Sequence, residues 1–265
     1  MIAPSKATVE AFHLTGEPEL LPGGEGRAYR IGDVILKHLN NDSAEQAIWS
    51  AQFFDQVKED GFRISKPLKT NEGEWMTSDG WSAWKRIEGH HNYEQHLTEI
   101  IPALEKFHAA VFTTPRPDFI GDLTSAYYRS DAYAWGEKPE TINPKVKREI
   151  ELLYSLRKPL PELKEQLIHG DLGSANILIA EGVAPGIIDL APYWRPAGFA
   201  LAIFAYWIGP WLDKPDVLKK FEHIPHFKQL LVRAAIRNLL TEAEFGNYED
   251  AEKYVRATQI VKEYA

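Results

Sequence analysis

Leu167-Ile168-His169-Gly170-Asp171-Leu172-Gly173-Ser174-Ala175-Asn176-Ile177-Leu178-Ile179, followed by Gly186-Ile187-Ile188-Asp189, decides how this chain is read. Three polar side chains, Asp171, Asn176 and Asp189, stand between short apolar runs of the kind that form buried strands. Leu167-Ile168 delivers the chain to a loop, and Ile177-Leu178-Ile179 carries it away. Glu181-Gly182 and Pro185-Gly186 then turn it back. Ile187-Ile188 sets Asp189 at a strand end beside the first loop. A blander explanation is a hairpin with a capped Asp and an incidental Asn, both common turn residues.

Oxygen ligands gathered in this way suit Mg²⁺, a hard cation that takes few protein oxygens and relies on phosphates and water. Asn176 and Asp189 are the candidate metal ligands. Asp171 is left as the group that receives a proton from an attacking hydroxyl. The loop reads His-Gly-Asp-Leu-x-x-x-Asn, with Gly170 where protein kinases usually carry Arg. In that form it resembles the aminoglycoside phosphotransferase-like family of small-molecule kinases. The resemblance implies an α+β, bilobal protein-kinase-like fold. A small antiparallel-sheet N-lobe would span residues 1–88 and a larger, mainly helical C-lobe residues 89–265, with ATP between them. It further implies ATP- and Mg²⁺-dependent transfer of a γ-phosphoryl group to a hydroxyl of a small molecule of aminoglycoside, sugar or amino-alcohol type.

Composition agrees with a globular protein. The chain has 265 residues, 44% hydrophobic and 26% charged, enough for a sizeable core in one domain or two lobes. It has no cysteine, which excludes disulfides and thiolate chemistry and fits a reducing cytoplasm. Met1 leads into Pro4-Ser5-Lys6 with no apolar run of signal-peptide length, so no export signal is expected. A formal net charge of −8 argues against nucleic-acid binding and suits a cationic acceptor, although many enzymes of neutral substrates are equally acidic. The longest uncharged stretch, residues 196–212, is interrupted by Gly209-Pro210 and reads as a buried helix, not a membrane span.

Along the front of the chain, residues 1–22 read as an edge strand or extended arm. Gly23, Gly24 and Gly26 form a loop whose backbone N–H groups could approach a nucleotide phosphate, though the loop is not a full G-x-G-x-x-G. Two alternating runs, 27–31 and 34–39, join at Gly32-Asp33 as a hairpin. In the second run Lys37 shares a face with Ile35 and Leu39, a costly place for a charge unless it is paired. Lys37 also stands where the resembled family holds phosphate. Asn41-Asp42-Ser43 caps a helix over 44–58, and Glu45 in its first turn is the expected partner of Lys37, with Asp42 or Asp55 as alternatives. A second hairpin is expected from 74–77 and 81–87 about Ser78-Asp79-Gly80. From the resemblance alone, the Lys85 carbonyl and the Ile87 N–H would bind the adenine edge just before Gly89.

The remainder reads as helices over 93–112, 144–157, 225–245 and 248–264, with an aromatic-rich segment at 125–135. His108, on an apolar stripe, reads as a satisfied core histidine. After Asp189 the chain lacks the Phe-Gly and Ala-Pro-Glu of protein kinases, and Phe199-Ala200-Leu201-Ala202 replaces the Asp-Leu-Ala of many members of the resembled family. Arg195, in Pro192-Tyr193-Trp194-Arg195-Pro196, either binds an anionic group or stacks on Trp194. A catalytically silent nucleotide-binding regulator and a protein kinase are the competing functions; the intact Asp171, Asn176 and Asp189 disfavour the first, and the missing Ala-Pro-Glu segment the second.

Overall fold

The computed structural model describes residues 2–22, 26–39, 43–136, 142–246 and 251–265, without the side chains of Ser174 and Ala251. The chain forms two compact units, one of Met1–His90 with Leu178–Ile188 and one of His91–Ile177 with Asp189–Ala265.

The first unit opens on a helix, α1 (Lys6–Ala11), and not on the expected arm. Ser5 caps it by accepting the Thr8 N–H at 3.1 Å. Val9 and Phe12, three residues apart, turn one helical face into the core. Among the described residues of this region, β1 (Glu19–Leu20) is the one strand. β2 (Ala28–Ile31) and β3 (Val34–His38) form the hairpin that the alternation predicts, closed at Gly32 with φ +55°. β6 (Trp81–Lys85) pairs with β3 along its whole length and with β5 (Pro67–Leu68) on its other side. The antiparallel sheet therefore runs β1-β2-β3-β6-β5. Its core face carries Tyr29, Ile31, Leu36, Trp81 and Ala83 against Val9 and Phe12.

The second expected hairpin does not form. Residues 74–77 stay in a loop, closed by the Thr77 N–H to the Trp81 carbonyl at 2.8 Å. Trp81 and Ala83 reach the core by lying beside Leu36, so β6 takes β3 as its partner; Glu74-Trp75-Met76-Thr77 has no comparable apolar face to bury. Helix α2 (Ala44–Gln56) buries Ala51 and Phe54, and the Phe54 ring meets Trp84 edge-on at 5.9 Å.

The chain returns to the first unit after the Asp171–Asn176 loop. β4 (Arg63–Ile64) pairs parallel with β9 (Gly186–Ile187), beside β8 (Ile177–Leu178). His90 and Ile179 exchange backbone hydrogen bonds at 2.9 Å in both directions. Gly89 permits this approach: its φ is +146°, and a Cβ there would lie 2.9 Å from the Ile179 oxygen.

The second unit contains α3 (Leu97–Ala110), α4 (Ala126–Trp135), α5 (Lys147–Leu156), α6 (Ala197–Ile208), α7 (Phe227–Glu244) and α8 (Ala251–Tyr264) around a two-stranded ribbon of β7 (Gln166–His169) and β10 (Pro192–Arg195). α6 explains the long uncharged stretch: it is buried on almost every side, with Phe199 against Trp135 and Phe204 against Phe221. Among the described residues no helix is long and apolar enough to cross a membrane.

Candidate active site

β7 is buried at all four positions, because Leu167 and Ile168 are fully enclosed and His169 is held by hydrogen bonds. The His169 N–H donates to His108 Nε2 at 3.3 Å, while His108 Nδ1 donates to the Leu104 carbonyl at 2.7 Å. These bonds set the His108 tautomer, and burial lowers its pKa to about 4, so it is a neutral core histidine. His169 Nδ1 in turn accepts the Asp171 N–H at 3.2 Å. The loop is thus fastened just before its acid. Leu172, immediately after, is fully buried, while Asp171 itself is exposed.

A 3₁₀ turn, Ser174–Asn176, brings Asn176 back onto Asp171. Its Nδ2 donates to the Asp171 carbonyl at 2.7 Å and to Oδ2 at 3.2 Å. With the amide nitrogen engaged, Asn176 Oδ1 is the atom left to face a cation. Pairing of β7 with β10 sets His169 opposite Pro192, and the Gly170 N–H extends the ladder to the Ala191 carbonyl at 2.7 Å. Asp189, two residues before Ala191, therefore stands at the same end of the ribbon as Asp171. It is exposed and has φ +55°, a left-handed conformation that non-glycine residues adopt at a cost. Among the described residues no three His, Asp or Glu are placed to hold a metal unaided. One acid and one amide oxygen suit Mg²⁺ that takes its other ligands from phosphate and water.

Gly170 is required for a reason the sequence does not show. A Cβ there would lie 1.9 Å from Tyr193 Cδ2, inside the ring's own volume. Tyr193 is 3% exposed and accepts a hydrogen bond from Arg237 Nη2 at 2.9 Å. Burial raises its pKa to about 12. Tyr128 packs edge-on against it at 5.2 Å and donates to the Pro192 carbonyl at 3.1 Å. Arg195 does not stack on Trp194. It pairs with Asp131 at 2.6 Å and with Glu165 at 3.4 Å, and its guanidinium lies over Trp135 at 5.0 Å.

In the first unit, Lys37 is partly buried on β3, between Ala28 and Ser82 of the flanking strands. Burial, helped by the nearby Arg27 charge, lowers its pKa to about 8. Glu45, its expected partner, is exposed and lies nine residues before Phe54, about half a turn round the helix from that buried face. Asp55 is also exposed, and Asp42 lies outside the described residues, as do Gly23 and Gly24. Gly26 is described and has φ +70°. The Lys85 carbonyl accepts the Ser65 hydroxyl at 2.6 Å, which leaves it one lone pair. The Ile87 N–H has no partner among the described residues, and the Ile87 side chain packs on Gly186.

An antiparallel sheet carrying a partly buried lysine, with a helical unit carrying an Asp–Asn loop and a second Asp, is the architecture of the protein-kinase-like phosphotransferases. The sequence model of the phosphotransferase enzyme family (APH) matches residues 19–215, and the chain belongs to that family. Among solved structures, it is similar to a thermostable mutant of aminoglycoside phosphotransferase APH(4)-Ia (TM-score 0.67, 18% identity, covering 97% of this chain and 98% of that one). It is also similar to amicoumacin kinase hAmiN in complex with AMP-PNP, Ca²⁺ and Ami (TM-score 0.66, 13% identity, 97% and 92%). A third is spectinomycin phosphotransferase APH(9)-Ia with ADP and spectinomycin (TM-score 0.60, 15% identity, 97% and 92%). No curated protein sequence matches the chain.

Proposed function

We propose that this phosphotransferase moves the γ-phosphoryl group of ATP, with Mg²⁺, onto a hydroxyl of a small molecule of aminoglycoside, sugar or amino-alcohol type. The observation that carries the proposal is the Asn176 amide folded back onto Asp171 at 2.7 and 3.2 Å. It leaves one exposed carboxylate facing outward and one amide oxygen free beside it, at the ribbon end where Asp189 also stands.

In this reading Asp171 orients the acceptor hydroxyl and takes its proton, a role worth on the order of 10²–10⁴-fold. Asn176 and Asp189 hold the metal, and Lys37 grips phosphate. When bound, Mg²⁺ supplies positive charge to the phosphate oxygens, and such electrostatic stabilisation is most of what phosphoryl transfer requires. The Gly26 backbone would cover the phosphates, with Gly23 and Gly24, and the Ile87 N–H and the Lys85 carbonyl would meet the adenine edge. Support for a polyhydroxylated acceptor comes from solved neighbours that hold hygromycin B or spectinomycin. The test is incubation with Mg·ATP labelled at the γ position and a panel of aminoglycosides, sugars and amino alcohols. Label transferred to a panel member supports the proposal. Label found only on peptide acceptors, or nucleotide bound without any transfer or hydrolysis, overturns it.

A further inference from the structure

Arg237 on α7 is 2% exposed, an expensive place for a guanidinium. Its Nη2 donates to the Tyr193 hydroxyl at 2.9 Å and its Nη1 to Asn238 Oδ1 at 2.7 Å. Its Nε finds no partner among the described residues, a cost that an aliphatic packing residue would not carry. The guanidinium carbon also lies 5.1 Å from the centre of the Tyr193 ring. Burial works against the cation, but Tyr193, Asp171 and Asp131 together outweigh it and hold its pKa above the ordinary arginine value. The same ring fills the space over Gly170, whose N–H bonds the Ala191 carbonyl at 2.7 Å. The contacts run without a gap from α7 to the acid: guanidinium, ring, Gly170, Asp171.

We infer that Arg237 is a positioning residue for transfer, holding the Gly170–Asp171 backbone in place through the ring of Tyr193. Why a cation and not a leucine follows from geometry. A planar donor hydrogen-bonded to the hydroxyl and lying near the ring fixes both its tilt and its depth, whereas apolar packing would fix the depth alone. The inference rests on reading Asp171 as the group that faces the acceptor. Misplacing such a group by about 1 Å can cost on the order of 10²-fold in rate.

The test uses the full chain, with transfer to whichever panel acceptor is found or, without one, ADP release from Mg·ATP. Arg237→Met is expected to lower kcat by about tenfold or more while KM for ATP stays within about twofold. Tyr193→Phe, which keeps the ring and loses the hydroxyl bond, is expected to lower kcat by about threefold, and the double variant to be no worse than Arg237→Met. Arg237→Lys is expected to recover part of the loss. A kcat per active site that is unchanged in both single variants, or losses that simply add, overturns the inference. Should Arg237→Met fail to fold, Tyr193→Phe carries the same readout. Amide exchange at Gly170 and Asp171, followed by NMR, separates this inference from the proposed function. Faster exchange in Tyr193→Phe with no transfer by the wild type would support the positioning role and sink the phosphotransfer reading. Unchanged protection would sink the positioning role whether or not phosphate is transferred.

Discussion

Replacing Gly170 by alanine adds one methyl group at the point where the Asp171 loop meets Tyr193. The added carbon would sit 1.9 Å from Cδ2, 2.4 Å from Cε2 and 2.5 Å from Cγ of the ring. Carbon atoms prefer about 3.5–4.0 Å, so ring or loop must give by about 1.5 Å. Gly170 is not in the left-handed region, so the penalty is steric and not a matter of backbone strain. Overpacking of this kind costs about 1–3 kcal/mol. Moving the ring also breaks the 2.9 Å bond to buried Arg237, which adds about 1–3 kcal/mol. The expected loss is about 2–6 kcal/mol in urea unfolding, with turnover falling together with it. The decisive comparison is the same substitution in a Tyr193→Ala background, where the obstructing ring is gone. There Gly170→Ala should cost less than about 1 kcal/mol, a coupling of at least about 1 kcal/mol between adjacent sites. Equal costs in the two backgrounds would refute the packing argument.

Three further predictions follow from the same structure. Lys37, with a pKa of about 8, should lose its charge as pH rises, so Mg·ATP affinity measured by calorimetry should weaken above pH 8. Lys37→Met should bind about 10–100-fold more weakly at pH 7 and show no such weakening. Because the folded state binds that proton less tightly than the unfolded state, Lys37 should make stability rise with pH between about 8 and 10.5. His108, whose pKa falls from 6.5 to about 4 on burial, acts in the acid range. The unfolded state binds the extra proton there, so stability should drop by about 2–3 kcal/mol between pH 7 and 4.5. That drop should be smaller in His108→Gln, as read by urea denaturation. Asn176→Ala should raise the Mg²⁺ concentration for half-maximal turnover by about tenfold or more, and an unchanged metal requirement would remove Asn176 from the metal site.

Much of this was legible in the sequence wherever local pattern and tertiary packing agree. The β2–β3 hairpin follows from two alternating runs and a Gly-Asp turn. The Asp171–Asn176 pair follows from loop chemistry between two apolar strands, and α6 from an uncharged stretch too short to span a membrane. The misses share a cause, which is long-range packing. Residues 74–77 alternate well enough locally, but β6 found a better partner in β3. Residues 1–22 read locally as an arm, yet Val9 and Phe12 bury one face of a helix against the sheet. The residues beneath the Asp171 loop left only a faint signal. Arg233 and Arg237 recur four apart on the stripe of Leu230 and Ala234, a polar intrusion that marks buried guanidiniums. Nothing local connects Arg237 to Tyr193, or Tyr193 to Gly170.

The account stands or falls on Asp171 as the group that faces the acceptor hydroxyl. Asp171→Asn keeps the size of the side chain and removes its capacity to take a proton. Turnover with Mg·ATP and nucleotide affinity should be measured on the same folded sample. The account predicts that turnover falls by about 10²-fold or more while the Kd for Mg·ATP stays within about threefold of wild type. Retained turnover, or parallel loss of turnover and nucleotide binding in a protein that unfolds at the wild-type temperature, would contradict it.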